Sequence, residues 1–416
     1  MEPRIFPRSE HIVSRNDINP DALRVLYRLQ ASGHRGFLAG GCVRDLLLHR
    51  KPKDFDVVTD AHPNRVKNLF RNCRLIGRRF RLAHVVFQND IIEVATFRAA
   101  AGHQEADQIA PDQKALAVKT SDGMIIRDNL FGTPEEDALR RDFTCNALFY
   151  NIDDFAIIDY VNGVEDINAG IIRSIGDPRV RFVEDPVRMI RAIRFASALN
   201  FKIENYAYES IAAVGPRIAM ASPARLYEEI LKLFFCGNAA RVFHHLQQTG
   251  LFKILFPEFA LWLESPAGAA ARPRTEFAFR TLDICRENDH PVSPVLMLAL
   301  IFGAYHEAAA AELIAQGMHP IAANHEASVR HLGTLLPQIQ VPKMVALRVG
   351  DIMAAQPRMV ERRSRDVARL PLRPFFAEAV DYFGFVARAE KRDLDTARFW
   401  AERITSDSHQ PIRRHR

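Results

Sequence analysis

The feature that most constrains this chain is residues 37–60, FLAGGCVRDLLLHRKPKDFDVVTD. The stretch reads as a strand, a glycine turn, a short helix, a loop and a second strand. The second strand carries Asp54 and Asp56, two positions apart. Strand side chains alternate between faces, so both carboxylates project the same way. Like charges so placed repel, and a divalent cation is the usual reason for keeping them. A hard ion such as Mg²⁺ takes oxygen ligands and leaves positions open for phosphate. Gly40 and Gly41 let backbone N–H groups approach an anion closely and open a helix whose start favours negative charge. For the glycine pair alone, a tight turn before a polar strand edge is the plainer account. With Arg44, Asp45, Asp54 and Asp56 at these offsets, the set points instead to a phosphate cradle beside metal-binding carboxylates. Those are the parts that nucleotidyl transfer needs.

A chain of 416 residues is too long for one ordinary core, and its composition, 48% hydrophobic and 25% charged, is globular. No apolar run reaches the ~20 residues that a membrane span needs. The start, MEPRIFPRSEHIV, has no apolar stretch of the kind a secretory signal carries. The cysteines Cys42, Cys73, Cys145, Cys236 and Cys285 are scattered and odd in number, which argues against a disulfide framework and for reduced thiols in a cytoplasmic protein. A net charge of +6 and a pI of about 9.1 are compatible with a polyanionic partner.

Residues 1–19 read as an irregular leader. Residues 17–32 predict a helix with Leu23, Leu26, Tyr27 and Gln30 at helical spacing, and 63–72 a second one. Residues 73–87 read as a strand interrupted near Gly77, made basic by Arg74, Arg78, Arg79 and Arg81, and 90–97 as another strand. Glu93 interrupts that last apolar run and needs a partner. A nearby arginine would satisfy it; so would a metal shared with Asp54 and Asp56. Residues 99–124 read as a polar loop. Thr133-Pro134-Glu135-Glu136 starts a helix expected to carry Arg140, Arg141, Asp142 and Asn146. Short strands follow, around the turn Val161-Asn162-Gly163.

After Asp177 the patterns turn helical, with no strand expected beyond about 180. Residues 184–199 predict a helix on which Arg188, Arg191 and Arg194 step by three along one arc. The arc is either a solvated surface or the wall of a nucleotide or RNA groove. Further helices are expected over 222–235, 239–249, 276–286, 294–303, 306–316 and 321–336, with 265–274 (SPAGAAARPR) as a loop. The C-terminal part is rich in arginine, from Arg348 to Arg373 and again at Arg413, Arg414 and Arg416, in forks that suit phosphate as well as a solubilising surface.

These motifs, in order, resemble the DNA polymerase β-like nucleotidyltransferases, and more narrowly the family of bacterial tRNA CCA-adding enzymes and poly(A) polymerases. Gly40-Gly41-Cys42-Val43-Arg44-Asp45 with Asp54-Phe55-Asp56 is similar to the first motif. RRDFTCNA at 140–147 is similar to the second, DYVNGVED at 159–166 to the third, and EDPVR at 184–188 to the fourth. The helix at 222–235 matches the position of the fifth. Within the family, residues 75–85 with Arg78-Arg79, the start PARLYEE at 223–229 and the arginine-rich C-terminal third resemble the poly(A) polymerases.

The resemblance implies an α+β chain: a mixed α/β nucleotidyltransferase head over 20–176 after the leader. A helical neck (177–245), a helical body (246–375) and a basic C-terminal region (376–416) would follow. It implies template-independent polyadenylation, adding AMP from ATP to RNA 3′-hydroxyl ends with release of pyrophosphate, in RNA processing and decay. The alternative is tRNA CCA addition. A non-catalytic RNA-binding scaffold is disfavoured because both aspartates of the pair are present.

By the same resemblance Asp54 and Asp56 bind two Mg²⁺ ions, with Glu93 as third carboxylate. Gly40, Gly41 and Arg44 hold the phosphates. Arg141, Asp142 and Asn146 hold the ribose end and brace the site, with Asp142 essential. Asp185 and Arg188 read the base, and Arg191 and Arg194 contact the triphosphate or brace Asp185. The implied partners are RNA 3′ ends and ATP, with RNA-decay proteins as further candidates and no membrane.

Overall fold

Short apolar runs separated by turns build one eight-stranded sheet from the first part of the chain. The computed structural model describes residues 2–77, 81–88, 90–99, 117–119, 125–128, 131–334 and 339–404. They divide into two units, residues 1–188 with 199–214, and residues 189–198 with 215–416. The strands are β1 (Arg4–Phe6), β2 (Gly36–Ala39), β3 (Val57–Thr59), β4 (Cys73–Ile76), β5 (Leu82–Val86), β6 (Ile91–Thr96), β7 (Ala117–Lys119), β8 (Ile125–Asp128), β9 (Leu148–Asn151), β10 (Ile157–Asp159), β11 (Ile171–Ile172) and β12 (Lys202–Ile203). The large sheet runs β1-β10-β9-β2-β3-β6-β5-β4. Only β3 and β6 pair in parallel within it.

Register settles which side chains share a face. Phe37 and Ala39 of β2, Phe149 of β9 and Val58 of β3 lie on one side, where Phe97, Ala138, Ala147 and Ile175 complete a buried cluster. Phe37, Phe97 and Phe149 pack with ring centroids 5.9 to 6.3 Å apart. Leu38 and Tyr150, opposite each other in the ladder, point to the other side. There the helix Pro20–Ala31, capped by Asn19, turns in Ala22, Val25, Leu26 and Leu29. Its buried stripe is rotated from the predicted one, and Tyr27 is exposed.

The sequence reading errs at several boundaries, each for a local reason. The leader is not wholly irregular: Arg4–Phe6 adds β1 to the sheet edge against β10. The predicted basic strand is a hairpin of β4 and β5, with Gly77 in the left-handed region at φ +90°. Arg78 and Arg79, which tilt the family resemblance toward poly(A) polymerases, lie outside the described residues. So do Arg413, Arg414 and Arg416, and most of the expected loop at 99–124, where β7 and β8 pair as a two-stranded ribbon. The helix Pro178–Glu184 is missed, and the next begins only at Val187, because Asp185 is extended ahead of Pro186. A short strand, β12, does occur beyond 180, paired with β11.

The second unit is helical. The expected loop at 265–274 is instead the start of the helix Pro266–Glu287. Ser265 caps it, Pro266 sits in its first turn, and Ala267, Ala269, Ala270 and Ala271 favour helix strongly. Gly268 is needed there, since an added Cβ would lie 2.0 Å from the Trp262 carbonyl oxygen. Phe234, Phe243, Phe252, Phe256, Phe259, Phe279 and Phe302 join into an aromatic core, with Phe243 and Phe279 stacked at 4.5 Å.

The two helices expected over 294–303 and 306–316 are one, Pro294–Ala315, long and apolar enough to cross a membrane but 72% buried inside the protein. Gly303 does not break it. It is a notch for Tyr382, whose hydroxyl would lie 2.1 Å from a Cβ there. That hydroxyl donates to Glu307 at 2.8 Å and accepts from Arg274, so it cannot swing aside cheaply. Gly303→Ala is expected to lower stability by about 1–3 kcal/mol, read as a lower denaturant midpoint with unchanged slope.

Candidate active site

Asp54 and Asp56 lie just ahead of β3 rather than in the strand itself, which begins at Val57. The ladder still reaches them, because the Ala39 N–H donates to the Asp56 carbonyl at 3.0 Å. Val57 pairs with Val94 in parallel register. One step back along both strands, Asp56 stands beside Glu93 on the same face as Val58. Asp54 lies near enough for its charge to act on Asp56.

Asp56 keeps an exposed edge, yet protein crowds its carboxyl. Desolvation, then repulsion from Glu93 and Asp54, pushes it up to about 6, with the Arg141 charge opposing. Directly across the ladder from Glu93, His84 of β5 approaches it at 3.1 Å, an ion pair when the ring is protonated. Among the described residues no group of three or more His, Cys, Asp or Glu is drawn together tightly enough to enclose a metal ion. The three carboxylates instead form an open face of hard oxygen donors under mutual repulsion. That arrangement fits a divalent ion whose shell is completed by substrate oxygens.

The second motif forms the opposing wall. The helix Pro134–Arg140 starts with a full capping box, Thr133 and Glu136 bonding reciprocally. It ends earlier than predicted: Arg141 is its C-cap, and Asn146 sits on the 3₁₀ turn Thr144–Asn146. The extended segment between them lets three side chains interlock. Arg141 donates to Asp137 at 3.1 and 2.9 Å and to the Asn146 carbonyl at 3.0 Å. Arg44 is only 8% exposed, and its guanidinium donates to Asp45 and, at 2.5 Å, to the Asn146 side-chain oxygen. The Asn146 amide donates to Asp142 at 3.3 Å. Gly40, at φ +77° and ψ −125°, fits beneath this assembly. A Cβ there would meet Arg141 Nη1 at 2.7 Å, whereas at Gly41 it would meet only Arg44 Nη2 at 3.6 Å.

The fourth motif abuts the same wall. Arg188 donates to the Arg140 carbonyl at 3.3 Å and the Arg181 carbonyl at 3.5 Å. Its burial, and the like charge of Arg181, hold its guanidinium down to about 10, while Asp185, Asp142 and Glu184 favour its charged form. Arg191 and Arg194 belong to the second unit, and both reach Glu229, each at 3.7 Å.

Sequence reasoning missed Asp137 and Arg181. Asp137 is buried, anchors Arg141 and accepts from the Arg98 N–H at 3.3 Å; its spacing of four before Arg141 on a capped helix was the available signal. Arg181 donates to the Arg140 and Arg141 carbonyls at 2.7 and 2.8 Å from a helix that went unpredicted.

The third motif is structural. Asp159 accepts from the N–H groups of Val161, Gly163 and Val164 at 2.9 to 3.0 Å, pinning a turn in which Asn162 is left-handed. Asp159→Ala would orphan those donors. A loss of about 3 kcal/mol is expected, seen as a lower Tm with the nucleotide KM of the surviving protein unchanged.

The chain also resembles known proteins along most of its length. Residues 36–173 match the family model described as the poly A polymerase head domain. Residues 200–263 match the probable RNA and SrmB-binding site of polymerase A, and 316–415 the polymerase A arginine-rich C-terminus. Poly(A) polymerase I of Salmonella typhi is 41% identical over 406 residues, covering 96% of this chain and 85% of that protein. A CCA-adding enzyme of Lactobacillus helveticus is 36% identical over 244 residues, 59% of this chain and 57% of its own. Among solved structures, the Bacillus stearothermophilus CCA-adding enzyme in complex with CTP superposes with a TM-score of 0.64 at 25% identity, over 93% of this chain and 83% of that one.

Proposed function

The chain belongs to the bacterial poly(A) polymerase family, and from that premise we propose that it adds AMP from ATP to RNA 3′-hydroxyl ends without a template, releasing pyrophosphate. The observation that supports the chemistry is Asp56 beside Glu93, with the charges of Asp54 and the anchored Arg141 acting on it. The choice of poly(A) over CCA addition rests on likeness that runs through the arginine-rich C-terminal part, whereas the likeness to the Lactobacillus CCA-adding enzyme covers 59% of the chain.

In this reading Asp54, Asp56 and Glu93 would hold Mg²⁺, which when bound lowers the pKa of the RNA 3′-hydroxyl and steadies the triphosphate. The chain's own residues supply positioning and charge. Asp137 fixes Arg141, so that its charge lies toward Asp56 and the phosphates. Gly40 keeps the backbone close to the phosphates without displacing that guanidinium. Arg44, by gripping Asn146, orients Asp142 at the ribose end. Asp185 accepts from the adenine amino group and Arg188 donates to a ring acceptor, so the pair discriminates by hydrogen bonding. Arg191 and Arg194 are held by Glu229 within the second unit. The helical unit would hold the RNA backbone without reading its sequence. The protein would act in the cytoplasm, with RNA-decay proteins as candidate partners.

Incubating the protein with Mg²⁺, an unstructured RNA and each NTP in turn tests the proposal. Long tails with ATP alone are expected. Short extension confined to tRNA lacking its 3′ CCA would replace this reading by CCA addition. RNA binding without incorporation would leave only a binding scaffold. Chelating the metal is expected to stop incorporation, and its readdition to restore it.

A further inference from the structure

His84 has no part in the chemistry proposed above, yet it stands directly beside it. It belongs to β5 and pairs with Glu93 of β6 across the antiparallel ladder. Residues opposite each other in a ladder share a face, so His84 extends the row that runs through Glu93 to Asp56. The row is fixed by what lies behind it. Ala83 and Val85 of β5 pair with Val94 and Ile92 of β6, and all four are buried. A slip of one residue would turn the imidazole and the carboxylate toward that core.

The contact itself has a direction. His84 Nε2 lies 3.1 Å from Glu93 Oε1, with the imidazole side chain 19% exposed and the carboxylate side chain 47%. Nε2 is shut off from solvent and makes no aligned hydrogen bond with any described residue. Facing a carboxylate oxygen, that nitrogen must carry the ring's proton, because a lone pair there would meet negative charge. A buried N–H left unpaired is costly. The ring is mostly enclosed and the carboxylate is half exposed, so the group that turns to complete the bond is Glu93. Its other oxygen, Oε2, has no hydrogen-bond partner among the described residues.

Taken alone, a cross-strand His–Glu pair is an ordinary contribution to a sheet. What sets this one apart is where it leads. Of the charges acting on Asp56, that of Glu93 is the strongest, ahead of Arg141 and Asp54. The carboxylate that meets His84 is thus the one that bears most on Asp56.

We propose that His84 is a positioning residue for Glu93, holding one carboxylate oxygen so that the other is presented to the divalent ion shared with Asp54 and Asp56. The inference rests on the metal-carboxylate reading above. It needs no change in the charge of His84, since the neutral Nε2–H tautomer donates too. Carboxylates that ligate metals are themselves braced by outer hydrogen bonds, and losing such a brace costs about 10- to 100-fold in metal affinity or activity.

The test follows Mn²⁺, a paramagnetic substitute for Mg²⁺, binding to the full chain with a non-hydrolysable ATP analogue and no RNA. Binding is read from water-proton relaxation, and the Mg²⁺ needed for half-maximal incorporation is measured alongside. His84→Leu is expected to weaken Mn²⁺ binding about tenfold, and the Mg²⁺ requirement should rise in parallel. His84→Gln, whose amide reaches where Nε2 stood, should recover most of that loss. His84→Asn, polar but too short, should not, and it replaces the leucine variant if that protein folds poorly. In a Glu93→Ala background His84→Leu should add no further loss, because the ring acts only through that carboxylate. If Asp56→Ala weakens Mn²⁺ binding and His84→Leu does not, the inference is overturned and the metal reading stands. A His84→Leu loss of equal size in the Glu93→Ala background also overturns it, by making His84 a prop of the sheet. If Asp56→Ala binds Mn²⁺ as wild type does, the metal reading fails and the inference falls with it.

Discussion

Asp56→Ala is expected to abolish AMP incorporation, by a factor of about 10³ or more, while RNA binding and Tm stay close to wild type. The expectation follows from where the residue sits. Asp56 continues the β2–β3 ladder and stands beside Glu93 in the parallel β3–β6 register. Its carboxyl is crowded by protein and by two like charges, and is pushed up to about 6. A fold gains nothing from such repulsion, so removing the side chain should leave stability unchanged or slightly improved. Asp54→Ala should behave alike, because its charge acts on Asp56 and it belongs to the same proposed metal-binding set. Glu93→Gln should cost less, since His84 already engages that carboxylate and the substitution keeps its shape. The measurement is single-turnover incorporation at saturating ATP, beside an RNA gel-shift. An Asp56→Ala protein that still extends RNA at a wild-type rate would remove the metal-carboxylate reading and leave the face as a polar edge. A protein that fails to bind RNA as well would mean the substitution had disturbed more than the site.

The sequence was most informative where chemistry imposes unusual residues on a regular backbone. A glycine pair at a turn and a Thr-Pro-Glu-Glu helix start carry their own physical reasons and lie where those reasons place them, whereas the two aspartates read as strand residues lie just ahead of β3. What remained illegible depends on partners distant in the chain. Nothing near Arg44 indicates that its guanidinium is taken up by Asn146, 102 positions later, so a residue read as a phosphate ligand proves to be largely interior. Nothing near Arg181 marks it as a clamp on the Arg140 and Arg141 carbonyls. Breakers misled in a consistent way. The helix expected to end at 303 runs on through Gly303, and the loop expected around Pro273 is helical, since tertiary packing outweighs a local cost of about 1 kcal/mol for glycine and rewards a missing Cβ where Tyr382 needs the space. The N-terminal segment shows the converse. Without either period it read as an irregular leader, and it nonetheless adds an edge strand.

Gly40→Ala should be the most damaging change outside the carboxylates, and Gly41→Ala is its natural control. Both glycines look equivalent in the sequence, and a cradle built only by close backbone approach would need both equally. The structure separates them. Gly40 has φ +77° with ψ −125°, a region that an L side chain occupies only under strain of about 1–3 kcal/mol. A Cβ there would also lie 2.7 Å from Arg141 Nη1 and 3.3 Å from the Asn146 carbonyl oxygen. Arg141 has little freedom to yield, because Asp137 holds it through two hydrogen bonds and the Asn146 carbonyl through a third. Relief must therefore come from moving the guanidinium that faces Asp56, or from moving the turn that carries Asn146 and, through it, Arg44 and Asp142. Displacement of about 1 Å in such positioning groups is worth roughly 10² in rate, so kcat should fall by about that factor, with a measurable drop in Tm. Gly41 begins the helix Gly41–Leu47 with ordinary dihedrals, and its Cβ would meet only Arg44 Nη2 at 3.6 Å, a normal contact. Gly41→Ala should keep its Tm, and any loss should appear in the KM for ATP rather than in kcat, since only room for the phosphate would change. Equal losses of kcat in the two variants would mean that backbone approach to the phosphate, and not the seating of Arg141, is what Gly40 provides.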